Sequence, residues 1–153
     1  MNPLQNPQML FPLAVVVFGG VAVAIQAPIN ARLASAIGGP LLAAFISFAV
    51  GLLALLVVIV LSSEFPSIGE FRNAAAWTFS GGVFGAFFIF AITFALPKLG
   101  SATTISATIF GQLLAALVID RLGFFGLERI EISPYRLLGV VLIFAGVVLT
   151  QTR

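Results

Sequence analysis

The chain contains no cysteine and no histidine, and only 8% of its 153 residues carry charge. Without cysteine there are no disulfides and no thiolate metal sites. Without histidine the commonest metal ligand is gone, and so is the usual proton carrier near neutral pH. No metal site and no cofactor are expected. No phosphate loop and no nucleophile–base pair is visible, so the residues do not point to an enzyme. The net charge is +2 and the pI about 10.0, yet seven Lys/Arg are spread over the whole chain. That is too thin for a nucleic-acid patch, so no nucleic-acid partner is expected. Charge is also missing where it would matter most: no Asp, Glu, Lys or Arg sits near the middle of any apolar run. A proton-coupled carrier of cations usually keeps a carboxylate at that depth.

What is present is apolar surface. Hydrophobic residues make up 61% of the chain, against about 45–50% in a soluble domain, where about 25% is charged. Crossing the hydrocarbon of a bilayer, about 30 Å thick, takes about 20 apolar residues in a helix. Five unbroken runs meet that need, at residues 10–33, 41–62, 74–96, 101–120 and 135–151. None alternates with period two, which favours helices over a transmembrane barrel. The expected fold is an all-α integral membrane protein of five transmembrane helices in one domain, 1–153. Its expected location is multi-pass in the cytoplasmic (inner) membrane if bacterial. Ala34-Ser35-Ala36 matches a signal-peptidase pattern, but the first nine residues carry no Lys or Arg and the run is too long. Cleavage there is not expected.

The breaks between runs have recognisable chemistry. Gly38-Gly39 suits a helix stop, and Pro40 suits the first position of the next helix. Loop 64–73 reads as exposed and turn-rich, with Glu64, Pro66, Ser67, Gly69, Glu70 and Arg72, and Trp77 follows as an interfacial anchor. Pro97-Lys98-Leu99-Gly100 separates spans 3 and 4. Ser133-Pro134 reads as an N-cap followed by proline at the first helical position.

Five spans put the termini on opposite sides. The N-terminal side then receives Arg72, Arg121, Arg129 and Arg136, and the other side Arg32, Lys98 and Arg153. An imbalance this small hardly fixes orientation. The expectation is dual topology, with two copies inserted in opposite senses as an antiparallel homodimer. The alternative is a single topology, N-terminus inside. An antiparallel pair would form a ten-helix inverted-repeat transporter, an architecture that places its substrate site near the midplane.

Polar residues in the spans mark candidate sites, because they are costly in hydrocarbon. On span 1, Gly19, Ala22, Gln26, Asn30 and Leu33 share one face, and Pro28 between the amides predicts a helix break. On span 4, Ser101, Thr104, Thr108 and Gln112 form a stripe. Hydroxyls returned to their own backbone would explain Ser and Thr there, but not Gln112. A cavity shared by Gln26, Asn30, Thr108 and Gln112 is expected, with Ser47 on span 2 and Thr104 as further candidate substrate contacts. Phe18, Phe45, Phe48, Phe84 and Phe88 are candidate walls, though packing or lipid contact suits each one better. Arg32 and Asp120, at span ends, are candidate mouth or coupling groups, with interfacial anchoring as the alternative. Gly139 and Gly146, one heptad apart on span 5, suggest dimer packing.

Several stretches occur in an order and spacing that carry a resemblance: Gln26-Ala-Pro-Ile-Asn30, Gly39 through Gly51, Pro97 through Gly100, Gly111-Gln112, and Asp120-Arg-Leu-Gly123 with Gly126. Together they resemble the YdcZ-type family of the drug/metabolite transporter superfamily, over nearly the whole chain. The resemblance implies a five-helix half-transporter unit, often dual-topology or encoded as pairs. It implies that four helices surround the substrate cavity and that the last helps assemble the dimer. Gln26, Asn30 and Gln112 sit in matching motifs and carry over as candidate cavity residues. The related small multidrug exporters use a midplane Glu in the first helix; here that place is vacant.

The expected function is a secondary transporter moving a small metabolite or xenobiotic by alternating access, through a cavity of amides, hydroxyls and Phe. Its partners would be a second copy of the chain, the lipid bilayer and a small-molecule substrate. Neutral or weakly anionic substrates fit better than cations. The alternatives are a dual-topology small-solute or ion channel and a non-transporting membrane assembly subunit.

Overall fold

The structure, a computed structural model, describes the backbone of residues 7–151 and the side chains of residues 9–150. Among these residues all regular structure is helical: α1 (Pro7–Ile37), α2 (Pro40–Ser62), α3 (Ile68–Asn73), α4 (Gly81–Leu99), α5 (Ser101–Leu122) and α6 (Pro134–Gln151). Short 3-10 turns cover Ala76–Ser80 and Phe124–Gly126. The chain divides into two compact units, Met1–Phe94 and Ala95–Arg153.

Among the described residues, four helical stretches are long and apolar enough to cross a membrane: Met9–Ile37, Pro40–Ser62, Ala76–Leu99 and Ser101–Leu122. The fifth, α6, has 18 residues and a length of about 27 Å at about 1.5 Å per residue, just short of the hydrocarbon thickness of about 30 Å.

The junctions follow local chemistry. Gly38 and Gly39 take φ of +98° and +134°, which a Cβ disfavours, and Pro40 opens α2. Ser133 accepts from the backbone N–H of Arg136 at 3.3 Å, capping α6. Two expectations change. The helix does not break at Pro28: α1 runs unbroken through it to Ile37. Proline removes one donor from a ladder whose remaining bonds have no better partner in hydrocarbon, so the helix persists. Likewise α4 continues through Pro97 to Leu99, and the turn falls on Gly100 at φ +78°. The segment read as a turn-rich loop contains the six-residue α3. Ser67 accepts from the Glu70 N–H at 3.3 Å, and Glu70 accepts from the Ser67 N–H at 2.7 Å, a complete capping box. Those bonds hold the Glu70 carboxyl below its ordinary range.

In the first unit α1 packs on α2 through small buried residues, Ala27 and Ala34 from one helix, Ala43 and Ala44 from the other. Small side chains let the two backbones approach closely. Gly85 of α4 gives room to the Phe48 ring: a Cβ there would lie 3.2 Å from Phe48 Cζ. In the second unit α5 and α6 form an antiparallel hairpin. Thr103 Oγ1 donates to the Thr150 carbonyl at 3.3 Å near one end. Arg136 Nη2 donates to Asp120 Oδ2 at 2.9 Å near the other. The Phe110 and Phe144 rings meet between them, with centroids 5.2 Å apart.

Candidate functional site

The polar centre of the first unit is built from three side chains. Gln26 and Asn30 lie one turn apart on α1, so both point to the same neighbour. That neighbour is Ser47, one turn beyond the buried Ala43 on α2. Gln26 Nε2 donates to Ser47 Oγ at 3.1 Å, and Asn30 Nδ2 donates to the same oxygen at 3.3 Å. A serine has one hydroxyl hydrogen and two lone pairs. It can satisfy two amides at once only by accepting from at least one of them. In the observed arrangement both lone pairs are used. The two amide carbonyls, the second N–H of each amide and the hydroxyl hydrogen then remain for other partners. Asn30 is 4% exposed, whereas Gln26 and Ser47 are half-buried.

Two cavities open on this cluster. One, about 570 Å³, runs along α1 and α2 past Ala22, Ile29, Asn30 and Leu33. The other, about 480 Å³, lies among α1, α2 and α4 and has Phe48 and Phe88 in its wall. Gln26, Ser47 and Gly51 line both. No charged residue lines either one. Such a site can orient a solute by neutral hydrogen bonds and apolar contact. Among the described residues no group of three or more Asp and Glu is placed to hold a metal ion.

The sequence-derived candidates separate into those that meet and those that do not. Gln26, Asn30 and Ser47 come together. Ser47 bonds both amides directly. Thr104 Oγ1 donates to the Gly100 carbonyl and Thr108 Oγ1 to the Thr104 carbonyl, both at 2.7 Å. These hydroxyls are returned to the helix that carries them. Gln112 is exposed on α5, and among the described residues nothing hydrogen-bonds its side chain. Phe48 and Phe88 line a cavity, but Phe18, Phe45 and Phe84 are 73%, 71% and 72% exposed and face outward. Arg32 is exposed near the end of α1. Asp120 pairs with Arg136, not with the adjacent Arg121, whose nearest carboxylate is Glu131 at 3.7 Å. Gly139 lines a groove of about 260 Å³ between α5 and α6, beside that pair. A Cβ on Gly139 or Gly146 would meet nothing within 4 Å in this chain.

Two polar residues were not singled out in the sequence. Thr103 anchors α5 to α6. Thr93 on α4 is 2% exposed, and its hydroxyl has no partner among the described residues. Nothing in the composition of span 3 sets Thr93 apart, since Thr78 and Ser80 share that apolar run.

Comparison with known proteins gives the family. Residues 11–149 match the family described as "Putative inner membrane exporter, YdcZ". The chain is similar to inner membrane protein YdcZ of Escherichia coli K12, with 25% identity over 143 residues, covering 92% of this chain and 95% of that one. No solved structure matches. Long apolar helices and a family match across nearly the whole length converge on one assignment: the chain belongs to the YdcZ family and is a multi-pass inner-membrane transport protein.

Proposed function

We propose that this chain is one half of a secondary transporter for a small, uncharged or weakly anionic metabolite or xenobiotic. Two copies associate in opposite orientations and work by alternating access. Substrate binds at Gln26, Asn30 and Ser47, against the Phe48 and Phe88 walls. The observation that carries this reading is the three-residue cluster opening on two cavities free of charge. Polar side chains at membrane depth are costly, and those lining a cavity are the ones a solute can use. The vacancy of a midplane carboxylate argues against cation export coupled to protons.

In this reading α6 is the fifth crossing, made short and tolerated by local thinning or snorkelling at its ends. The odd number of crossings and the near-even division of Lys/Arg support insertion in both senses. Gly139 and Gly146 then serve the contact between copies.

The test is flux. Purified protein in liposomes, loaded with a broad mixture of uncharged and anionic metabolites, should show saturable exchange of a narrow chemical subset. Absence of any saturable, selective flux would contradict the proposal.

A further inference from the structure

The cavity among α1, α2 and α4 has one polar corner and two aromatic walls. Its polar atoms come from Gln26 and Ser47, and its rings from Phe48 and Phe88. We infer that this cavity is the subsite for a planar aromatic body whose attached head is a neutral group that both donates and accepts hydrogen bonds, a primary carboxamide being the simplest. The inference rests on the transport reading above and specifies its substrate class.

Three observations carry it. The first is the inventory of unused valences. With Ser47 Oγ accepting from both amides, the cluster still offers carbonyl acceptors and N–H and O–H donors side by side. A head that only donates or only accepts leaves some of these unpaired, and an unpaired polar group in a desolvated site is costly. The second is charge. With no charged residue in the lining, a cationic or anionic head loses its hydration without a counter-ion. The third is Gly85. Its missing Cβ lets the Phe48 ring sit against the α4 backbone, where a methyl would approach Cζ to 3.2 Å and Cε1 to 3.6 Å. Gly81 and Gly82, on the same helix, have nothing within 4 Å of a built Cβ. Gly85 therefore sets both the position of one ring wall and the room beside it, and acts as a specificity determinant for the aromatic body.

An isosteric series separates these contributions. The full chain in lipid nanodiscs is titrated with para-fluorobenzamide, para-fluorobenzoate and para-fluorobenzamidine, read by ligand-observed fluorine NMR against empty nanodiscs. The three probes share a ring and differ in head charge. The amide should bind at least about tenfold more tightly than either ion. Gln26→Glu should reverse the order in favour of the amidine. Gly85→Ala should weaken the amide several-fold, and Phe88→Leu, which removes the other ring and leaves Gly85 alone, should do the same. Equal binding of all three heads, no binding of any, or an amide affinity indifferent to all three substitutions would overturn the inference. Gln26-dependent flux of some other kind of solute, with no probe bound, would overturn this inference and leave the transport reading standing. Amide binding with the predicted selectivity, in a protein that moves nothing across liposomes, would support the subsite and remove the transport reading.

Discussion

Ser47 accepts two hydrogen bonds from α1, and both depend on one oxygen. Ser47→Ala removes the acceptor of Gln26 and Asn30 together. The expected cost is about 1–2 kcal/mol in unfolding from mixed micelles, toward the upper end for hydrogen bonds between membrane helices. Thr104→Val and Thr108→Val, by contrast, should change stability by less than about 0.5 kcal/mol, because each hydroxyl only doubles a bond on a carbonyl of its own helix. A Ser47→Ala effect no larger than the threonine effects would contradict the assignment. The contrast also shows what was legible at this scale. Gln26 and Asn30 stand out in sequence because long amides at i and i+4 in hydrocarbon need a partner. Ser47 was a candidate on its own span; that it serves both amides is a fact of α1–α2 register. Thr104 and Thr108 look like the same signal, yet a threonine can satisfy itself locally and a glutamine cannot. Hence the two hydroxyls of the span 4 stripe are spent on their own helix.

Proline does not end a helix here, whereas glycine does at three junctions and Ser63, at φ +58°, ends α2. Pro28 and Pro97 sit within continuous helices, while Gly38, Gly39 and Gly100 end them. Proline content was therefore a poor guide to breaks in this chain, and positive-φ glycines a good one. α3 was missed although Ser67-x-x-Glu70 is a capping signature, because Pro66 and Gly69 around it speak for turns. The box has a pH signature. Since the folded form holds the Glu70 carboxyl below its ordinary range, its contribution to α3 is full above that range and is lost as pH falls through the lowered folded value. Backbone chemical shifts of residues 68–73 should stay helical down to the ordinary carboxylate range and collapse only below it. Glu70→Gln should make them insensitive to pH; a midpoint at or above the ordinary value would contradict the box.

A second element-scale device joins α5 to α6. Asp120 stands in the last turns of α5 and Arg136 in the first turn of α6. Each charge opposes the dipole of its own helix, so each depends on the other. Asp120→Asn and Arg136→Gln should each destabilise, and the double variant by less than their sum, with a coupling of about 1 kcal/mol given the partial exposure of both side chains. Additive effects would show that the pair does not act as a pair.

At the scale of the whole molecule, membrane class and helix content were legible because composition alone demands a bilayer. The five runs coincide with four long helices and the shorter α6 to within a few residues, apart from the start of α4. Orientation is less legible, because it depends on a handful of arginines near the interface. It has a direct probe. Ser67 caps α3, so the reporter belongs at Glu64, in the exposed link after α2. Glu64→Cys in this cysteine-free chain should label partly from each face of intact cells under the dual-topology reading. Labelling from one face alone would reject it.

The proposed transport requires solute to pass through the Gln26–Ser47–Asn30 cluster. The measurement that tests it most directly is liposome flux of whichever solute the wild-type chain exchanges, compared with Gln26→Leu at equal folded content and equal oligomeric state. Gln26→Leu is expected to abolish saturable flux while the protein stays folded and associated. Flux unchanged in Gln26→Leu would return these amides to helix packing and contradict the claim.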